Sequence, residues 1–152
     1  MDLQGWQRRT GAGVLTALVA VGIGACGGPD SPLLGQWQDD EGAPSRDQLQ
    51  LYRGEDHCDW TAAVFLRVAW PPGTATGRQF VRDPEGVVSA ELSSGFAGDA
   101  VLPADAVRTG YRNESGVQLW LPSGEELEHA YLVTSSGTVE AWPLVDPPMG
   151  CD

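Results

Sequence analysis

Glu55-Asp56-His57-Cys58-Asp59 is the densest run of ligand-type side chains in the sequence. In an extended backbone Glu55, His57 and Asp59 point one way, and Asp56 and Cys58 the other. Two carboxylates flanking an imidazole can hold a divalent cation, with His129 as a distant fourth ligand. Zinc sites rest on paired Cys or His at close spacing, which this run lacks. The expectation is therefore a solvated acidic turn leading into a cysteine-bearing strand, and no metal or cofactor is assigned. Asp39-Asp40-Glu41-Gly42 has the acids of a calcium loop without the alternate oxygen spacing or the distal glutamate, so it too reads as a solvated turn.

Other chemistry is thin. All nine basic residues are Arg, so Schiff-base, P-loop and Ser-Lys mechanisms have no residue to run on. No Gly-x-Ser-x-Gly elbow, His-Glu-x-x-His helix or dinucleotide fingerprint is present. His57 and His129 can each serve a serine such as Ser94 or Ser136, but no spacing brings them together, and no catalytic residue is assigned. The net charge of −12 excludes a nucleic-acid backbone binder, which needs a basic stripe. Trp37, Trp60, Trp70, Trp120 and Trp142 either line a cleft for a glycan or apolar ligand or pack into a small core. Trp120 and Trp142 share strand parity with polar Gln118 and Glu140. They are the better candidates for exposed, ligand-binding rings, together with His57, although core or rim packing is the first expectation for both.

The elements that must carry these residues have period two. Gln48–Arg53 alternates apolar and polar positions. In the next run Trp60, Ala62, Val64, Leu66, Val68 and Trp70 fall on one face, and Thr61, Ala63, Phe65, Arg67 and Ala69 on the other, so both sides are covered until Pro71-Pro72-Gly73 stops it. Hairpins are predicted at Asp83–Gly86, joining Arg78–Arg82 to Val87–Leu92, and at Asn113–Gly116 and Ser135–Gly137. The segment from Ser93 to Ala106 is irregular and rich in small residues. One helical turn is conceivable at Ser123–His129, where Ser123 and Glu126 have capping-box spacing. The fold class is all-β: a small antiparallel β-barrel or sandwich of about seven or eight short strands, preceded by a signal peptide.

The first 26 residues read as an address. Arg8 and Arg9 precede 16 uncharged residues, Thr10 to Ala25, that lead into Cys26, too short and Gly-rich a run to span a membrane. Ile23-Gly24-Ala25-Cys26 resembles the lipobox of bacterial lipoproteins. That resemblance implies diacylglycerol and palmitate-type acylation of the Cys26 thiol, and cleavage just before it. Gln7-Arg8-Arg9-Thr10 is also similar to a twin-arginine signal, which leaves the export route open. Residues 1–25 are then the lipoprotein signal peptide, 26–33 the lipidated cysteine and flexible tether, and 34–152 a single β domain. Gly35-Gln36-Trp37 is similar to the Gly-x-Trp opening of lipocalin-like barrels, whose tryptophan closes the barrel floor. The strings His57-Cys58-Asp59-Trp60, Leu119-Trp120-Leu121, Val139-Glu140-Ala141-Trp142-Pro143 and Gly150-Cys151 are similar to uncharacterised lipoproteins of actinobacteria, which implies no activity.

The functional expectation is a cell-envelope lipoprotein held on the extracytoplasmic face of the membrane through the lipid on Cys26. Its domain would be a non-enzymatic binder of a small apolar or glycan ligand or of a partner protein. An envelope-polymer hydrolase is the alternative from another class, and a structural or inhibitor-like interaction module is the third. With Cys26 lipidated, Cys58 and Cys151 remain to pair outside the cytoplasm. Closing that long loop would contribute about 4–5 kcal/mol in the chain-entropy model. Intact mass tests both expectations. Cys26→Ser should lose the lipid mass and leave the membrane fraction, and without reductant Cys58 and Cys151 should take up no alkyl groups.

Overall fold

The computed structural model describes residues 33–43, 45, 47–54, 60, 62–71, 74, 77–88, 92, 94–124 and 126–147. Cys26, His57, Cys58 and Cys151 lie outside them. The described residues are all-β, in eight strands: β1 (Trp37–Gln38), β2 (Leu49–Arg53), β3 (Val64–Ala69), β4 (Gly77–Arg82), β5 (Ala106–Asn113), β6 (Gln118–Pro122), β7 (His129–Val133) and β8 (Val139–Val145). They form one antiparallel sheet in the order β1-β5-β6-β7-β8-β4-β3-β2. The two meanders, β2-β3-β4 and β5-β6-β7-β8, meet where Gln79 and Phe80 face Val145 and Leu144.

Alternation decides the curvature. One core cluster takes Trp37 from β1, Leu49 from β2, Leu66 from β3, Phe80 from β4, Tyr111 from β5, Leu119 from β6, Leu132 from β7 and Trp142 from β8. Residues from both ends of the strand order share that cluster only if the sheet rolls into a nearly closed barrel. β5 bends to allow it. Its register with β6 shifts between Arg108 and Arg112 around Gly110, whose φ is +89°, a bulge position that suits glycine. The Thr109 hydroxyl donates to the Leu119 carbonyl at 2.9 Å across the irregular ladder.

β3 is buried on both faces, as its double-parity apolar run predicts. Val64, Leu66 and Val68 fill the barrel, while Ala63 and Phe65 join Val81, Val88 and Val145 in a second cluster outside it. Trp60 sits on that outer cluster, with its ring centroid 5.8 Å from Phe65, and not on the Val64–Leu66 face. The reason is local: Ala63 N–H donates to Trp60 O at 2.9 Å, a turn that breaks the parity before β3 begins.

Two predicted elements are corrected. Val87–Leu92 is not the hairpin partner of β4. The Asp83 carboxylate accepts from the N–H groups of Val87 and Val88, each at 2.9 Å, and turns the chain so that Val88 and Leu92 cap the outer cluster. β4 pairs instead with β8, more than 50 residues on. Ser123–His129 holds no helix among its described residues; Leu127 plugs the core and His129 opens β7. The irregular segment after Ser93 is a strap: Phe96 packs on the core, and Ala97 exchanges backbone hydrogen bonds with Ala141 at 2.7 and 3.1 Å. The core also reaches back to Leu33, whose carbonyl accepts from Trp37 Nε1 at 3.0 Å.

Gly54 marks the tightest approach. A Cβ there would lie 2.1 Å from the Trp60 carbonyl oxygen, a backbone atom with little room to yield. Gly54→Ala should therefore destabilise the domain by about 2–3 kcal/mol in thermal or urea unfolding. Gly124→Ala, where a Cβ meets nothing within 4 Å, should leave stability unchanged or slightly raised.

Candidate functional site

The barrel interior is filled by side chains. Trp142, Phe80, Leu66, Leu119, Leu121 and Leu132 are each under 2% exposed and pack the centre of the barrel. Trp142 is therefore not an exposed ring. Its parity with Glu140 misleads because Glu140 itself turns inward: Glu140 Oε2 accepts from Trp142 Nε1 at 3.0 Å and from Arg82 Nε at 3.0 Å. Trp120 is half-buried on the outer face of β6, between Arg108 of β5 and Tyr131 of β7. Its Nε1 is shielded from solvent and has no hydrogen-bond partner among the described residues.

The concave surface of chemical interest lies beside that row. A cleft of about 580 Å³ is walled by Pro103 and Asp105 from the strap before β5, by Pro122 and Gly124 after β6, and by Glu126, Glu128, His129 and Tyr131 on the approach to β7. Backbone pairing fixes the walls relative to one another. Ser123 N–H donates to Asp105 O at 3.1 Å, and Leu144 N–H to Glu128 O at 2.8 Å, so both acid-bearing segments are tied to the barrel. A smaller pocket of about 300 Å³ continues from it, sharing Glu126 and Glu128 and adding Arg78, Leu127, Leu144 and Asp146.

The electrostatics of the cleft are read through Tyr131. Its phenol is held above the ordinary value of 10.0, first by burial and then by the charges of Asp105 and Glu128. Both carboxylates thus act on one phenol from different segments of the chain. His129 lies beside it, ring centroids 6.2 Å apart. No ion pair engages Asp105, Glu126 or Glu128 among the described residues. Nor do three or more His, Cys, Asp or Glu side chains there approach closely enough to hold a metal ion.

Of the residues singled out from the sequence, the structure places His129 in this cleft and Trp120 on the adjoining face of the sheet. His57 lies outside the described residues. Asp105, Glu126, Glu128 and Tyr131 escape a reading of the sequence because they are scattered over two segments and match no motif. Glu126 and Glu128 alternate, as do His129 and Tyr131, but the parity changes between the two pairs, so alternation alone does not gather the four. Comparison with known proteins finds no matching family model, no matching curated protein and no matching solved structure.

Tyr131 gives a test of this geometry. Asp105→Asn and Glu128→Gln should each lower its ionisation pH, followed by tyrosinate absorbance, but leave it above the ordinary value because burial is the larger cause. Its folded pKa exceeds the unfolded one, so between the two values the folded state holds the extra proton. That stability is fully present below about pH 10 and falls as pH rises beyond it. Tyr131→Phe should flatten part of this alkaline loss.

Proposed function

We propose that this chain is a lipid-anchored protein of the bacterial cell envelope, tethered to the membrane through Cys26. Its β domain is a non-enzymatic binding module, and the cleft beside β7 takes a cationic segment of a partner protein. The observation that carries this reading is the cleft itself: three carboxylates free of ion pairs among the described residues, gathered around an aromatic wall of Tyr131 and His129. Arginine or lysine side chains suit such a wall twice, through charge and through ring faces. The net charge of −12 would speed the encounter and make it salt-sensitive.

Two competing readings find less support. For a small apolar ligand, side chains already pack the centre of the barrel, unlike the roomier barrels that enclose one. For a hydrolase, no hydrogen bond to a carboxylate orients the His129 ring as a base among the described residues.

The test is calorimetry of the full chain with a short oligo-arginine peptide. The triple variant Asp105→Asn, Glu126→Gln, Glu128→Gln should weaken binding roughly tenfold, in line with three partly exposed charge pairs. Glu85→Gln, in the exposed turn after β4, should leave it unchanged. Equal losses in both variants would mean that diffuse charge, rather than the cleft, attracts the peptide.

A further inference from the structure

Among the described residues no ladder joins the two end strands of the rolled sheet. β1 and β2 follow one another in sequence yet stand at opposite ends of the strand order, and the alternating directions along the sheet make them antiparallel across the seam. Along β2, Ala69 N–H donates to Gln48 O at 2.8 Å and Gly54 N–H to Ala63 O at 2.9 Å. In an antiparallel ladder that alternation commits Gln48, Gln50, Tyr52 and Gly54 to β3, and turns the backbone groups of Leu49 and Leu51 toward the seam. Leu49 N–H is taken up by Ser45 O at 2.7 Å. No strand pairs with the Leu51 edge among the described residues.

The seam holds a pocket of about 300 Å³ whose walls include Gly35 and Trp37 on one side and Leu49 and Leu51 on the other, with Ser45 between them. Ser45 is only 6% exposed, and its Oγ has no hydrogen-bond partner among the described residues. An orphaned buried hydroxyl is a standing penalty. A single water takes about 30 Å³, so the pocket is far larger than one structural water needs and lies at the size of a ligand site. Ser45 belongs to the β1–β2 loop, which carries Asp39, Asp40, Glu41 and Asp47 against Arg46. Asp40 is paired with Arg108 at 2.6 Å and Asp39 accepts from the Glu41 and Ala43 N–H groups, which leaves Glu41 and Asp47 for a basic partner.

We propose that this seam is a docking site for an extended, apolar polypeptide segment with basic flanks, which adds to the β2 edge as a strand. Its backbone meets the Leu51 N–H and C=O, one apolar side chain enters between Trp37 and Leu51, and a backbone group satisfies Ser45 Oγ. The Leu51 N–H and C=O, side by side on one strand edge, are matched by another backbone, whereas an aliphatic ligand would bury them unpaired. The acidic loop complements the basic flanks. The proposal does not depend on the cleft beside β7.

The test titrates the full chain in mild detergent with a peptide of alternating valine and threonine capped by lysine at both ends. Its counterpart carries the same side chains with alternate backbone nitrogens methylated. The plain peptide should shift the amide resonances of Leu49 and Leu51 and the fluorescence of Trp37, and the methylated one should bind at least tenfold more weakly. Ser45→Ala should weaken the plain peptide about five- to tenfold, the size of one hydrogen bond, while thermal stability holds or rises. The triple cleft variant should keep the discrimination between the two peptides, so failure of the cleft reading leaves this one standing. Equal binding of both peptides would overturn the proposal. So would seam shifts produced by decanoate and not by peptide, or a Ser45→Ala variant that loses stability and keeps full affinity.

Discussion

Burial of the Trp142 indole sets the terms for one end of the barrel. A ring that large fills the centre only if its N–H finds a partner there, and the nearest polar group on its own face is Glu140. A carboxylate drawn that far in must be matched in turn. Arg82 does so from β4 with Nε at 3.0 Å, the pair retaining 16% and 20% side-chain exposure. Phe96 of the strap then lies 5.2 Å from the Arg82 guanidinium and shields the pair from solvent. A core aromatic, an ion pair and an irregular strap are thus one dependent series, running from β8 to β4 to the segment after Ser93.

That series explains why the surfaces suited to binding lie outside. Eight short strands enclose a space whose centre side chains pack, so the concave surfaces lie at the rims and where the ladder fails. Two of them, among the described residues, arise for different reasons. At the β7 end the chain leaves the sheet after Pro122 and returns at His129, and the strap at Pro103 and Asp105 forms the opposite wall. At the seam the sheet runs out of strands, because β1 has two residues and the loop behind it turns back at Ser45. The first place gathers charge, and the second leaves backbone groups unpaired.

Much of the architecture is legible because antiparallel strands write their own period. β2, β3, β6 and β7 fall within a few residues of where alternation puts them. The turns at Asn113–Gly116 and Ser135–Gly137 are where their glycines mark them, with positive φ at Gly116 and Gly137. Trp37, from the Gly35-Gln36-Trp37 opening, packs into the core. The failures have a common cause. Asp83–Gly86 is a genuine turn, but a turn does not dictate a strand on its far side, and two backbone bonds to the Asp83 carboxylate end the strand pattern there. Trp142 is core, the first expectation for it, although its same-face neighbour Glu140 is charged, because that carboxylate finds its partners inside.

By itself the sequence determined the class of fold and the character of the surface. Period-two alternation reads as strands, turn glycines and prolines divide them, and 21 acids against 9 arginines make the chain strongly acidic. The proposed address rests on sequence as well, through the charged start, the short apolar run and Cys26. Tertiary structure alone decided that β4 pairs with β8, that Trp142 is core, and that Asp105, Glu128 and Tyr131 share one cleft. The physical reason is range. Alternation and turn chemistry act between neighbours in the chain, whereas closing a barrel and gathering charges from separate segments depend on which distant surfaces bury each other.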